Sequence, residues 1–237
     1  MLANTISTDD FLKIIKNMQE VIEANEEYLA KLDADIGDAD HGANMVRGFK
    51  LVKERLTSLE NPNVGKVFST TGMTLMETVG GAAGPLYGQV FVKAGRLVKE
   101  KMEVKKKDLA DALEAGLRGV QDIGGGAIPG GKTMVDVLDP VVKVLKESAN
   151  NEDITLMEAL KEVREVAKES AKRTIPMLAK WGRASYLGER SKGHQDPGAT
   201  SSYLLLRTIL DTLNGEVGVK IAKYAESDGG ILEEAYL

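Results

Sequence analysis

Apolar residues recur three and four positions apart along almost the whole of this 237-residue chain, and apolar/polar alternation over strand lengths is nearly absent. That period puts one apolar stripe on each of a series of helices, so it predicts an all-α fold. Ser7 with Asp10 reads as a capping box ahead of Phe11, Ile14, Ile15, Met18 and Ile22, which share one helical face. A second helix is expected to start near His41 and carry Met45, Phe49, Val52 and Leu56. Others follow over Val64 to Val79, Leu86 to Met102, and from a cap at Asp108 to Gly124. The last three run over Thr133 to Ser148, Thr155 to Ile175 (opened by the box Thr155/Glu158) and Gly198 to Leu213. The spacing therefore predicts about eight helices, with Glu216 to Leu237 ambiguous. No Pro/Ser linker, composition shift or repeat divides the chain. We expect one domain over 1–237, with a core over about 7–213 and a C-terminal extension over 214–237.

Composition excludes several function classes. Net charge is −5, there is no basic arm and aromatics are only 5% of residues. Nucleic-acid binding needs a positive stripe and usually stacking platforms, so it is not expected. No apolar run approaches the roughly 20 residues that span a membrane, and Met1 to Asp10 is polar and acidic, unlike a secretory signal. The absence of cysteine rules out disulfides and thiolate metal sites. It fits a reducing compartment, and the expected location is the cytoplasm.

The run from Asp33 to Gly42 carries Asp33, Asp35, Asp38 and Asp40, broken by Gly37 and closed by His41 and Gly42. Two carboxylates about 4 Å apart repel by roughly 4 kcal/mol at an effective dielectric near 20. Such a cluster stays in solvent or wraps a cation, and hard oxygen ligands suit Mg²⁺ or Ca²⁺. Counted from Asp33, Asp35 or Asp38, the twelfth residue is Asn44, Val46 or Phe49. An EF-hand needs Glu there, so a phosphate-bridging magnesium site is the better reading. A solvated acidic turn is the plain alternative.

Three further glycine-bearing loops each precede a helix: Gly80 to Pro85, Gly124 to Thr133 and Gly193 to Gly198. Free N–H groups and the dipole at helix N-termini favour phosphate, and glycine lets a ligand approach the backbone. Within the middle loop, Gly126 to Thr133 satisfies the phosphate-loop pattern G-x-x-x-x-G-K-[ST]. That pattern has meaning only between a buried strand and a helix. Leu109 to Ile123, which precedes it, has helical spacing. A parallel-sheet NTPase is therefore disfavoured, and Lys132 as a phosphate contact is a separate, weaker expectation.

Taken in order, four stretches resemble the ADP-binding L subunit of dihydroxyacetone kinase. They are Leu32 to Phe49, Gly80 to Gly88, Gly131 to Pro140 and Arg183 to Ser202. The resemblance implies a closed barrel of eight antiparallel amphipathic helices with the nucleotide site at one end. It implies that Asp33, Asp38 and Asp40 hold two Mg²⁺ ions against the phosphates of ADP (or ATP). It implies nucleotide contacts at His41, Gly42, Ala43, Asn44, Ala82, Ala83, Gly124, Met134, Arg183, Asp196, Pro197 and Gly198. Asp35 stands where the family commonly has a small residue, so no ligand role passes to it. Ala83 replaces a common Ser, leaving only backbone contact there. Gly131 replaces a common Asp, which creates the accidental phosphate-loop match.

No residue stands out as a catalytic base. No triose site is recognisable, and the resemblance implies that a separate K subunit holds dihydroxyacetone. A phosphohistidine donor subunit of a phosphotransferase system is the expected source of phosphate; free ATP is the alternative, and a homodimer stays open. Competing readings are a kinase subunit for another small keto-sugar and a nucleotide-binding regulatory module without transfer activity.

Overall fold

The computed structural model describes residues 4–216, 222–226 and 232–236. Helices dominate, as the periodicity predicts. They are α1 (Thr8–Ala24), α2 (Glu26–Ile36), α3 (His41–Thr57), α4 (Val64–Thr78), α5 (Ala83–Leu97), α6 (Lys106–Ile123), α7 (Val135–Ala149), α8 (Leu156–Arg173) and α9 (Pro197–Leu213), with a 3-10 helix at Arg183–Ser191. The strands are β1 (Thr5–Ser7), β2 (Glu103–Lys105), β3 (Ala222–Glu226) and β4 (Leu232–Tyr236).

Helix starts follow local chemistry. Ser7 Oγ accepts the Asp10 amide at 3.1 Å while the Ser7 amide donates to Asp10 at 2.9 Å, which closes the expected box. The Thr155/Glu158 box forms likewise, at 3.2 and 2.8 Å. Asn63 Oδ1 caps α4 through the Lys66 amide at 2.8 Å. At α6 the expectation needs correction. Asp108 lies in the first turn and accepts the Lys105 amide at 3.0 Å, so it supports the helix from inside.

Two further corrections concern element type. Among the described residues there are nine α-helices, because α2 separates from α1 at a single residue. Asn25 breaks the ladder there, its Nδ2 donating to the Val21 carbonyl at 2.7 Å. The fold is also not purely α. β1 and β2 pair antiparallel, with Ile6 opposite Val104, and β3 and β4 pair antiparallel with Tyr224 opposite Glu234. Of the ambiguous segment Glu216 to Leu237, β3 and β4 are described; the rest beyond Glu216 lies outside the described residues. No described helix is long and apolar enough to cross a membrane.

Consecutive helices from α3 to α9 pack on one another, α1 packs on both α9 and α3, and α2 lies on α3 and α9. The expected apolar faces fill one core that includes Phe11, Ile14, Met45, Phe49, Val120, Leu138 and Leu160. Its most enclosed helix is α9, where Tyr203, Leu204, Thr208 and Leu210 are all buried. α4 and α5 approach so closely that a Cβ on Gly72 would stand 2.6 Å from the Gly88 carbonyl oxygen.

Candidate functional site

The acidic run divides between two kinds of structure. Asp33 and Asp35 belong to the last turn of α2, while Asp38 and Asp40 lie on the turn into α3. Asp33 is buried, and its Oδ2 accepts the amides of Asp40 at 2.9 Å and His41 at 3.2 Å. It thereby caps α3, a task the side chain of Asp40 at the N-cap position does not perform. A Cβ on Gly37 would fall on Asp33 Oδ1, so only glycine fits beneath that carboxylate. Asp33, Asp38 and Asp40 each present one oxygen within 4.8 Å of the others. This all-oxygen set fits a hard divalent cation such as Mg²⁺.

These carboxylates line a cleft of about 480 Å³. His41, Asn44, Ala82, Ala83, Gly124, Met134, Arg183, Asp196, Pro197 and Gly198 line it too. The elements that meet there are the ends of α2 and α6, the starts of α3, α5, α7 and α9, and the chain entering the 3-10 helix. Gly42 and Ala43 do not line the cleft. Gly42 is buried against α2, where a Cβ would strike the Glu26 carbonyl oxygen. Ala43 is exposed and sits with Arg47 and Lys50 on a different face.

Several partners orient the cleft's polar groups. Arg47 donates to Asn44 Oδ1 at 2.7 Å and to the Thr78 carbonyl at 3.0 Å. With its oxygen so engaged, the Asn44 amide has its nitrogen left to offer an anion. His41 Nε2 shares a 2.8 Å hydrogen bond with Ser201 Oγ, which lies 2.7 Å from the Tyr87 hydroxyl. Burial lowers the His41 pKa, against the opposing pull of Asp33 and Asp40. Burial also raises Tyr87 to about 12. Arg183 pairs with Asp38 at 2.7 Å, and His194 Nδ1 stands 3.3 Å from the carboxylate of Asp35. Both contacts tie the chain around the 3-10 helix to the acidic segment.

Lys132 contradicts its expected use. Its side chain is buried, and Nζ donates to the carbonyls of Thr174 at 2.6 Å, Ile175 at 3.4 Å and His194. An ammonium has three donors, so this one is committed to tying the middle glycine loop to the chain after α8. Burial lowers its pKa, opposed by Asp196 and Asp136. The preceding element is the helix α6, so the phosphate-loop match has no strand to belong to. Asp196 caps α9 through the Ala199 amide at 2.7 Å. Burial pushes its carboxyl up to about 7, against that amide and Lys132, with Asp136 and Asp33 adding to the rise.

Sequence reasoning did not anticipate Arg47, Tyr87 or Ser201 as supports. The spacing of Arg47 three residues after Asn44 was the one local signal; Tyr87 and Ser201 meet His41 only through the fold.

Fold and cleft together define a class: helical domains in which a carboxylate cluster and glycine-bearing helix starts share one cavity. The chain belongs to the DAK2 domain family, whose model matches residues 35–211. It is 40% identical over 205 residues to the ADP-binding subunit DhaL of the PEP-dependent dihydroxyacetone kinase of Escherichia coli (strain K12), covering 86% of this chain and 97% of that one. It is 38% identical over 208 residues to the ADP-binding subunit DhaL of the PTS-dependent enzyme of Lactococcus lactis, covering 88% and 99%. Among solved structures, the dihydroxyacetone kinase from C. freundii in complex with AMP-PNP and Mg²⁺ superposes with a TM-score of 0.65 at 25% identity, over 85% of this chain. The chain spans about a third of that longer protein, 33% of its length.

Proposed function

We propose that this protein is the Mg-nucleotide-binding subunit of a dihydroxyacetone kinase and is a phosphotransferase of the phosphoenolpyruvate-dependent kind. One observation carries the reading. Three carboxylates, an oriented Asn44 and glycine-bearing helix starts meet in one cleft, in a chain 40% identical to a subunit named for binding ADP. In this reading Asp33, Asp38 and Asp40 hold two Mg²⁺ ions, and the other cleft residues bind ADP or ATP. Divalent metal supplies neutralisation of phosphate charge, the main requirement of phosphoryl transfer. The chain's own part is positioning. Asn44 Nδ2, held by Arg47, donates toward a phosphate, amides of the loops entering α5 and α9 add fixed donors, and Arg183 brings a cation to the rim.

The sugar would sit on a separate K subunit, and a phosphohistidine subunit would recharge the bound ADP. The same reading makes the chain one cytoplasmic domain, with eight helices (all but α2) closing as a barrel; the packing of α1 on both α3 and α9 supports closure.

Asp38→Asn tests the assignment. It removes one cation ligand and the partner of Arg183 at an exposed position, so helical circular dichroism should stay unchanged. Retention of Mg-ADP should fall at least tenfold, and phosphate transfer to dihydroxyacetone in the presence of K and a phosphoryl donor should cease. Full activity in the variant would remove Asp38 from the metal site.

A further inference from the structure

The cleft's lining combines two chemistries. Carboxylates and Arg183 are among its residues, and so are the apolar Leu86, Val120, Ile123, Ala127, Met134 and Val135. Trp181, the sole tryptophan of the chain, lines the same cleft and is only partly buried. Its indole is held by the middle glycine loop. A Cβ built on Gly131 would stand only 2.1 Å from Cζ3 and 2.4 Å from Cε3 of the six-membered ring, and one on Gly125 would lie 3.9 Å from the five-membered ring. The Lys180 amide donates to the Gly131 carbonyl at 3.1 Å, which fixes the backbone beside Trp181 to the same loop. The ring therefore covers Gly131, which is buried. No side chain at position 131 can coexist with this placement.

A nucleoside diphosphate combines a matching pair of chemistries, an anionic tail and a flat, weakly polar base. We infer that Trp181 is the wall against which the purine packs, and that Gly131 determines this by leaving room for the indole. The inference rests on the Mg-nucleotide reading and adds a residue that sets base affinity. Base–aromatic packing is typically worth about a tenfold to a hundredfold in affinity.

The experiment follows the emission of Trp181 in the full-length protein during titration with Mg-ADP, with uptake measured in parallel by equilibrium dialysis. Emission should change saturably with Mg-ADP and stay constant with Mg²⁺ alone. Trp181→Ala should weaken Mg-ADP binding about tenfold or more, and Trp181→Phe should restore most of the loss. Gly131→Ala should mimic Trp181→Ala, because its methyl displaces the ring. In the Trp181→Ala background, Gly131→Ala should then have no further effect, an outcome that a general disturbance of the loop would not give. Unchanged emission on a saturated protein, or wild-type affinity in Trp181→Ala, overturns the inference while leaving the nucleotide reading intact. Absence of any ADP uptake by the wild type overturns both.

Discussion

Asp33 carries two duties on one carboxylate. Oδ2 takes the amides of Asp40 and His41 and so closes the start of α3, while the set it forms with Asp38 and Asp40 can hold a cation. Two substitutions separate the duties. Asparagine keeps an oxygen for the amides but lacks the charge; alanine lacks both. Asp33→Asn should therefore lose Mg-ADP binding with little change in melting temperature, whereas Asp33→Ala should lose binding and also about 1 kcal/mol of stability from the missing cap. Equal melting temperatures in the two variants would remove the capping role. The clustering of aspartates was legible because four like charges in eight residues demand a cation or solvent. The placement of Asp33 on a helix, the 2.7 Å pair of Asp38 with Arg183 and the enclosure of Lys132 were not. The last two depend on partners dozens of residues away, which no local pattern encodes. Asp196 gives a pH test at the same scale. Its carboxyl is raised from 3.8 to about 7, so the folded protein keeps a proton that the unfolded chain releases near pH 4. Stability from this group is thus full below about pH 4 and is lost as pH climbs to about 7, by at most roughly 4 kcal/mol. Asp196→Asn retains a good cap without the titration. Its stability relative to wild type, from melts at pH 4 and pH 8, should improve with rising pH; a constant difference would contradict the shift.

Helix–helix approach decides where the cleft's parts stand. α3 can lie against α2 only because Gly42 has no side chain to strike the Glu26 carbonyl. Gly42→Ala should push the start of α3 away from α2, costing about 1–3 kcal/mol as overpacking does. Because the same movement pulls His41 and Asp40 from Asp33, Mg-ADP affinity should fall with the melting temperature, although residue 42 does not line the cleft. Calorimetric melts and a Mg-ADP titration on this variant check both; normal affinity alongside a lowered melting temperature would uncouple packing from the site. Most helices were legible at this scale because their faces are long and apolar: Phe11 to Ile22, Met45 to Leu56 and Leu156 to Ala171 each run three turns or more. α2 was not, because its buried apolar set is only Leu29, Leu32 and Ile36 and its last turn reads as part of an acidic loop. β1 and β2 have three residues each, too few for alternation to register.

At the scale of the molecule, topology alone overrules the phosphate-loop pattern, since the helix α6 leads into it in place of a strand. What local patterns do not encode is that residues between Asp33 and Gly198 meet in one cavity. That convergence has a thermodynamic consequence. A ligand spanning the starts of α3, α5, α7 and α9 requires all of them in place, so it binds the folded chain and not the unfolded one. Its stabilisation is then RT ln(1 + [L]/Kd), about 2.7 kcal/mol at a hundredfold excess over Kd. For a chain of this size each kcal/mol shifts the melting temperature by about 2–4 °C. Saturating Mg-ADP should therefore raise the melting temperature by about 5–10 °C. EDTA should reverse the gain, because without a divalent ion the diphosphate faces Asp33, Asp38 and Asp40 with like charge. The rise should be small in Asp38→Asn and reduced in Trp181→Ala, which weaken opposite ends of the same ligand. A melting temperature indifferent to Mg-ADP at concentrations that fill the site by dialysis would mean that the unfolded chain binds the nucleotide as well as the folded one, and the cleft would lose its standing as the binding site.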